Sequence, residues 1–137
     1  MTHAKLIRLR EQSKALTQLR EQITRLEAYR LSPGVAAYGS EHVKSSPRGD
    51  GMLDALIRMD ELVFMYRQEA NAALALQADF ERALASLSPL EKRIMRYYYL
   101  DALTWTEVAA QVGYSTRHVM RIAKRAEQKF DQIDTRG

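Results

Sequence analysis

The residues of this chain best suited to chemistry are cations, and they are clustered. In TRHVMRIAKRAEQ, Thr116–Gln128, the residues Arg117, Arg121 and Lys124 are spaced by four and then three, which puts them on one stripe of a helix. A guanidinium is a planar fork that can donate two bonds at once to a phosphate or to the O6 and N7 atoms of guanine, while an ammonium acts as a compact point charge. On a helical wheel Val119, Ile122, Ala123 and Ala126 form the opposite, apolar face, with Met120 and Arg125 at the flanks. The chemistry this arrangement offers is recognition of a polyanion. The rest of the chain adds little for catalysis. It has no cysteine, and its three histidines, His3, His42 and His118, have no second ligand at metal spacing. It has neither a nucleophile elbow nor a glycine-rich phosphate loop. Asp50, Asp54, Asp60 and Glu61 read as helix N-terminal charge or a solvated face. The expectation is a protein that is not an enzyme and needs no metal and no cofactor.

A cationic stripe is useful only if something aims it. Thr104 with Glu107 three residues on is a capping box, and it opens a helix of about eight residues whose inward side is Trp105, Val108 and Val112. Gly113 follows, where a left-handed backbone turn is cheapest for glycine. Ser115 can then cap a further helix over 116–130. Upstream, Ser88, Pro89 and Glu91 carry the same start signal for a helix over about 89–100, with Leu90, Ile94 and Tyr97 on one face. Of the consecutive Tyr97, Tyr98 and Tyr99, the spacing predicts core positions for Tyr97 and Tyr99 and a surface position for Tyr98. A short helix, a tight glycine turn and a second helix with a basic outward face make a helix-turn-helix, whose second helix fits the DNA major groove.

The remainder divides by pattern. Residues 1–30 form a basic helix with a narrow apolar seam, Leu9, Leu16 and Ile23 at seven-residue intervals, Leu19 and Leu26 three after the last two, and Leu6 adding to the stripe. Residues 31–51 hold two of the three prolines and four of the six glycines and read as a linker, a tether or a partner-binding segment. Residues 52–87 carry a heptad stripe, Met52, Leu56, Met59, Val63, Tyr66, Ala70, Ala73, Gln77, Phe80, Leu84 and Leu87, which predicts one helix roughly 54 Å long. Residues 88–137 form the helix-turn-helix unit. The net charge of +4 is uneven: basic over 1–30, acidic over 52–87 and basic again over 88–137. That suggests that the first two helices pair and the third part meets an anion. The predicted fold class is all-α, with a long coiled-coil or hairpin N-terminal part. A seam too long for one short helix to cover predicts a homodimer. With no apolar run of spanning length and no signal-peptide pattern, no membrane is expected and the cytoplasm is.

SPLEKRIMRYYYLDALTWTEVAAQVGYSTRHVMRIAKRAEQKF resembles region 4 of sigma factors, the promoter-reading part, over about residues 86–130. The layout as a whole resembles small phage and prophage proteins, the ArpU/RinA-type late transcription regulators and a related uncharacterised phage family. The runs that carry this are SSPRGDGMLDALIRMDEL and TWTEVAAQVGYSTRHVMR. The resemblance implies a phage- or prophage-encoded, sequence-specific transcriptional regulator in the host bacterial cytoplasm. Its partners would be double-stranded DNA and, as a further candidate, RNA polymerase. It places Thr116, Arg117, Met120 and Arg121 toward bases and Lys124 and Arg125 on phosphates, with Ser115 and His118 at the same surface. Met120 stands where sigma factors commonly carry a basic residue, so the sigma −35 target is not carried over. Two other readings stand beside this one: a small terminase-like packaging subunit whose coiled coil builds a ring, and a protein-binding adaptor acting on RNA polymerase.

Overall fold

The computed structural model describes residues 1–31 and 47–136, and all its regular structure there is helical: α1 (His3–Leu31), α2 (Pro47–Leu84), α3 (Pro89–Tyr99), α4 (Trp105–Val112) and α5 (Thr116–Arg136). Residues 32–46, most of the expected linker, lie outside the described residues. The long helix differs from expectation at both ends. It begins at Pro47 instead of Met52 and takes in Gly49 and Gly51, since proline is well suited to a first helical turn. It stops at Leu84, three residues before Leu87, in a tight turn closed by Leu87 N–H donating to the Leu84 carbonyl at 3.0 Å.

The described chain forms two compact units. The first is Met1–Thr17 with Asn71–Gly137, and the second is Gln18–Ala70. In the second unit Leu19, Ile23, Leu26, Met59, Val63 and Tyr66 are half-buried, along the apolar lines read from the sequence, while Leu62, which lies off those lines, is buried. Met52 and Leu56 depart from that reading, because both are exposed. At 29 residues α1 is shorter than the 38-residue α2, so one such helix cannot cover the full seam.

The first unit has a single core. Phe80 from α2 is fully buried, and its ring meets Tyr99 and Phe130 edge-on, each with centroids 6.1 Å away. Leu84 and Leu87 continue the heptad stripe into this core, joined by Ile94 and Met95 of α3, Val108 of α4, and Val119, Ala126 and Phe130 of α5. Leu6 and Leu9 of α1 belong to the same cluster. The boundary expected at Ser88 therefore does not separate two packing units. The seam's last turns, and the first turns of α1, close the helix-turn-helix core.

The tie between α1 and the turn after α3 is polar. The Arg10 guanidinium lies 3.8 Å from the centre of the Tyr98 ring and donates to the carbonyls of Tyr98 and Leu103, the latter at 2.8 Å. Tyr98 in turn stacks on Trp105, centroids 3.6 Å apart and planes within 8°. Ser13 donates to the Tyr99 carbonyl at 2.8 Å. Tyr98 is thus sandwiched between a cation and an indole, where sequence spacing pointed to the surface. The loop so held contains Ala102 at φ 59°, a left-handed conformation uncommon outside glycine.

Two capping boxes set the starts of α3 and α4. Ser88 N–H donates to Glu91 at 2.9 Å while Glu91 N–H donates to the Ser88 hydroxyl at 3.3 Å, and Thr104 and Glu107 repeat the pattern at 3.0 and 3.2 Å. Burial of Glu91 opposes its ionisation. The Ser88 backbone N–H, the Lys129 ammonium and the Ser88 hydroxyl outweigh that and hold its carboxyl below the usual value of 4.5. Glu107 is also lowered, chiefly by the Thr104 N–H.

Two measurements check this account. Replacing Arg10 by methionine keeps the stem and removes both donors, and should lower the unfolding free energy by about 1–3 kcal/mol in urea titrations. An unchanged midpoint would mean that the clamp contributes nothing. Because the folded-state values of Glu91 and Glu107 are depressed, their contribution is complete above 4.5 and is lost as pH falls through the lowered values. Glu91→Gln with Glu107→Gln should therefore flatten the acid limb of stability against pH. An acid limb as steep as that of the parent protein would refute this.

Candidate nucleic-acid interface

Helices α3, α4 and α5 touch one another pairwise, and α5 carries the cations. The turn that aims α5 is built as its residues dictate. Gly113 sits at φ 78° and ends α4, its N–H donating to the Ala109 carbonyl at 2.9 Å, and Tyr114 N–H follows to the same carbonyl at 3.2 Å. A Cβ at Gly113 would meet nothing within 4 Å, so the reason for glycine there is the left-handed backbone and not crowding. The Ser115 hydroxyl then accepts from the His118 N–H at 3.1 Å and caps α5.

The two faces of α5 are cleanly separated. Val119, Ala126 and Phe130 are completely buried, and Ile122 and Ala123 nearly so. Ser115, Arg117, Met120, Arg121, Lys124 and Arg125 are exposed, and Thr116 and His118 are half-buried. All eight residues singled out from the sequence thus fall on or beside one surface of the turn and α5. Tyr114, nearly half-exposed, joins them, its ring meeting His118 edge-on at 5.1 Å. Sequence reasoning passed over Tyr114, which lies directly between Gly113 and the Ser115 cap.

Ion pairing sorts the remaining charge. Lys129 binds Glu91 through both carboxylate oxygens at 2.9 and 3.1 Å, and Arg96 forms a two-pronged pair with Glu81 at 2.9 and 2.7 Å. Glu127 accepts from the Tyr99 hydroxyl and lies 3.4 Å from His3. Burial, reinforced by the Glu127 carboxylate, pushes the Tyr99 phenol far above its ordinary range, so it stays protonated and donates. Among the described residues Arg117, Arg121, Lys124 and Arg125 enter no ion pair. Other basic residues, among them Lys5, Arg8, Lys92 and Arg93, enter no ion pair either, so what sets the four apart is that they share one exposed surface of α5. The described residues hold no group of three or more acidic or histidine side chains placed to bind a metal, and none of their helices is long and apolar enough to cross a membrane.

The arrangement is suited to a linear polyanion. A helix about 10–12 Å across with its side chains enters a major groove about 12 Å wide. Arginines on its exposed stripe can reach base edges while the flanking cations meet the backbone.

No curated protein and no solved structure matches the chain. Residues 83–130, about a third of the chain, match the family model of Sigma-70, region 4, a DNA-binding helix-turn-helix domain. The matched stretch runs from the last turn of α2 through the buried Phe130, so the C-terminal part of this protein is a sigma region 4-like helix-turn-helix unit.

Proposed function

We propose that the protein is a sequence-specific, double-stranded-DNA-binding transcriptional regulator that reads the major groove with residues 116–130 of α5. The observation that carries this reading is the set of four unpaired cations on the outer surface of a helix whose opposite face is the core. Such a set favours a local positive potential, since no acid among the described residues forms an ion pair with it, and it lies within the stretch that matches sigma region 4. Thr116, Arg117, Met120 and Arg121 are assigned to base edges and Lys124 and Arg125 to phosphates, with Ser115 and His118 at the same surface. RNA polymerase is a second partner, on the strength of the sigma-like unit. A phage or prophage origin, of the ArpU/RinA type, is supported by the order of parts: a helical N-terminal half, a Ser/Pro/Gly/Asp segment, then the helix-turn-helix.

A homodimer belongs to the same reading. Leu53, Ile57 and Phe64 of α2 are exposed, Phe64 at 62%. With Asp60 they follow the four, three, four spacing of a coiled-coil seam on the side of the helix away from the buried Leu62. A second copy would cover these residues and present two recognition helices to a two-part site.

Two experiments test the proposal. Binding to duplex DNA should weaken steeply with salt. Lys124→Ala or Arg125→Ala should weaken binding to all sequences alike and reduce the slope of log K against log salt by about one each. Arg121→Ala should cost about 1–3 kcal/mol and relax sequence choice. Absence of duplex binding by the parent protein at low salt would rule the reading out. For the dimer, sedimentation equilibrium should give twice the chain mass of 15.7 kDa, with Phe64→Glu returning it to one. A parent protein that sediments as a single chain would remove the dimer, and a larger ring would favour a packaging role instead.

A further inference from the structure

Met120 is out of keeping with its surroundings. It is 48% exposed, the one large apolar side chain open to solvent among the described residues of α5. It contributes nothing to the core, which Val119, Ile122, Ala123, Ala126 and Phe130 close from the other side of the helix. Its neighbours along the helix surface are Thr116 and Arg117 one turn before and Arg121 and Lys124 after, so it sits within the stripe assigned to DNA.

A methionine there cannot read a base as arginine does, because a thioether donates no hydrogen bond and accepts only weakly. What it offers is a flexible, polarisable apolar tip. The major-groove edges of the four bases are rows of donors and acceptors with one exception, the C5 methyl group of thymine. An apolar side chain held at that edge by flanking cations has one feature to bury itself against. Resting on the DNA reading above, we propose that Met120 is a specificity-determining residue that selects a 5-methylpyrimidine, thymine in unmodified DNA, at one position of the target site. Arg117 and Arg121 on the neighbouring positions fix the helix in the groove, and Met120 adds a preference that hydrogen-bonding residues cannot supply. The same methyl group exists on 5-methylcytosine, so the contact recognises the methyl and not the rest of the base.

The test begins with duplexes selected from random DNA by the full-length protein. In the selected site each thymine is replaced in turn by deoxyuridine, which lacks only the methyl group, and affinity is read by fluorescence anisotropy at fixed salt. The expected result is a three- to fivefold loss at one position, roughly what the burial of a single methyl group supplies. In Met120→Ala that difference should vanish, and in Met120→Leu it should persist. Alanine at this exposed helical position keeps the fold, to be checked by an unchanged thermal melt. With cytosine and 5-methylcytosine at the same position, the parent protein should favour the methylated base and Met120→Ala should not. Duplex binding with no uracil-sensitive position, or a methyl preference that survives in Met120→Ala, overturns the assignment while leaving the DNA reading intact. A protein that selects no duplex at all overturns both.

Discussion

The helix-turn-helix depends on one guanidinium. The carbonyls at the end of α3 have no partners within that helix, and the loop after it passes through Ala102 in a left-handed conformation. Arg10 meets both needs from a helix more than eighty residues away in sequence, donating to Tyr98 and Leu103 and lying over the Tyr98 ring. A cation at the C-terminal end of α3 is also on the favourable side of that helix's dipole. Trp105, the first residue of α4, stacks on the other face of Tyr98. The position at which α4 starts, and through Gly113 the direction in which α5 leaves, is therefore tied to a side chain on α1.

Around that joint, charge is divided by reach. Acids on α2 and α3 hold the cations that face them, Glu81 with Arg96 and Glu91 with Lys129. Glu127 is drawn to Tyr99 and His3 instead of to the outward arginines. An exposed pair contributes little to stability, about 0–1 kcal/mol, so its consequence is chiefly one of placement. Each acid so engaged is absent from the outer surface of α5. Over 88–137 the exposed cations of α5 stand together while Glu91, Glu107 and Glu127 are engaged by Lys129, Thr104 and Tyr99.

What could be read from the sequence was what is local. Ser88, Thr104, Gly113 and Ser115 were legible because a cap acts over three residues, and the inward face of α5 because helical periodicity fixes it. The outward positions of Arg117, Arg121 and Lys124 followed from the same wheel. The long-range contacts were not legible. Nothing near Leu6, Leu9 or Arg10 says that they pack with residues beyond 80, and the sandwiched position of Tyr98 depends entirely on that contact. The start of α2 at Pro47 was hidden by two glycines that ordinarily argue against a helix. Among the site residues, exposure was readable, but the absence of partners for the four cations was not, since it depends on where Glu91 and Glu127 turn.

The segment matching sigma region 4 is thus smaller than the unit that folds around it. The match begins at Ala83, yet the ring at the centre of the core, Phe80, lies before it, and Leu6, Leu9, Arg10 and Ser13 belong to the first turns of the chain. Removing Phe80 would strip two aromatic contacts from Tyr99 and Phe130 at once, and Phe130 lies on the face of α5 directly behind the cations. A core contact made by α2 and a polar contact made by α1 therefore act on the same two elements, the end of α3 and the back of α5. The orientation of the exposed surface of α5 follows from residues outside the matched segment as much as from those within it, and its chemistry follows from the outward side chains alone.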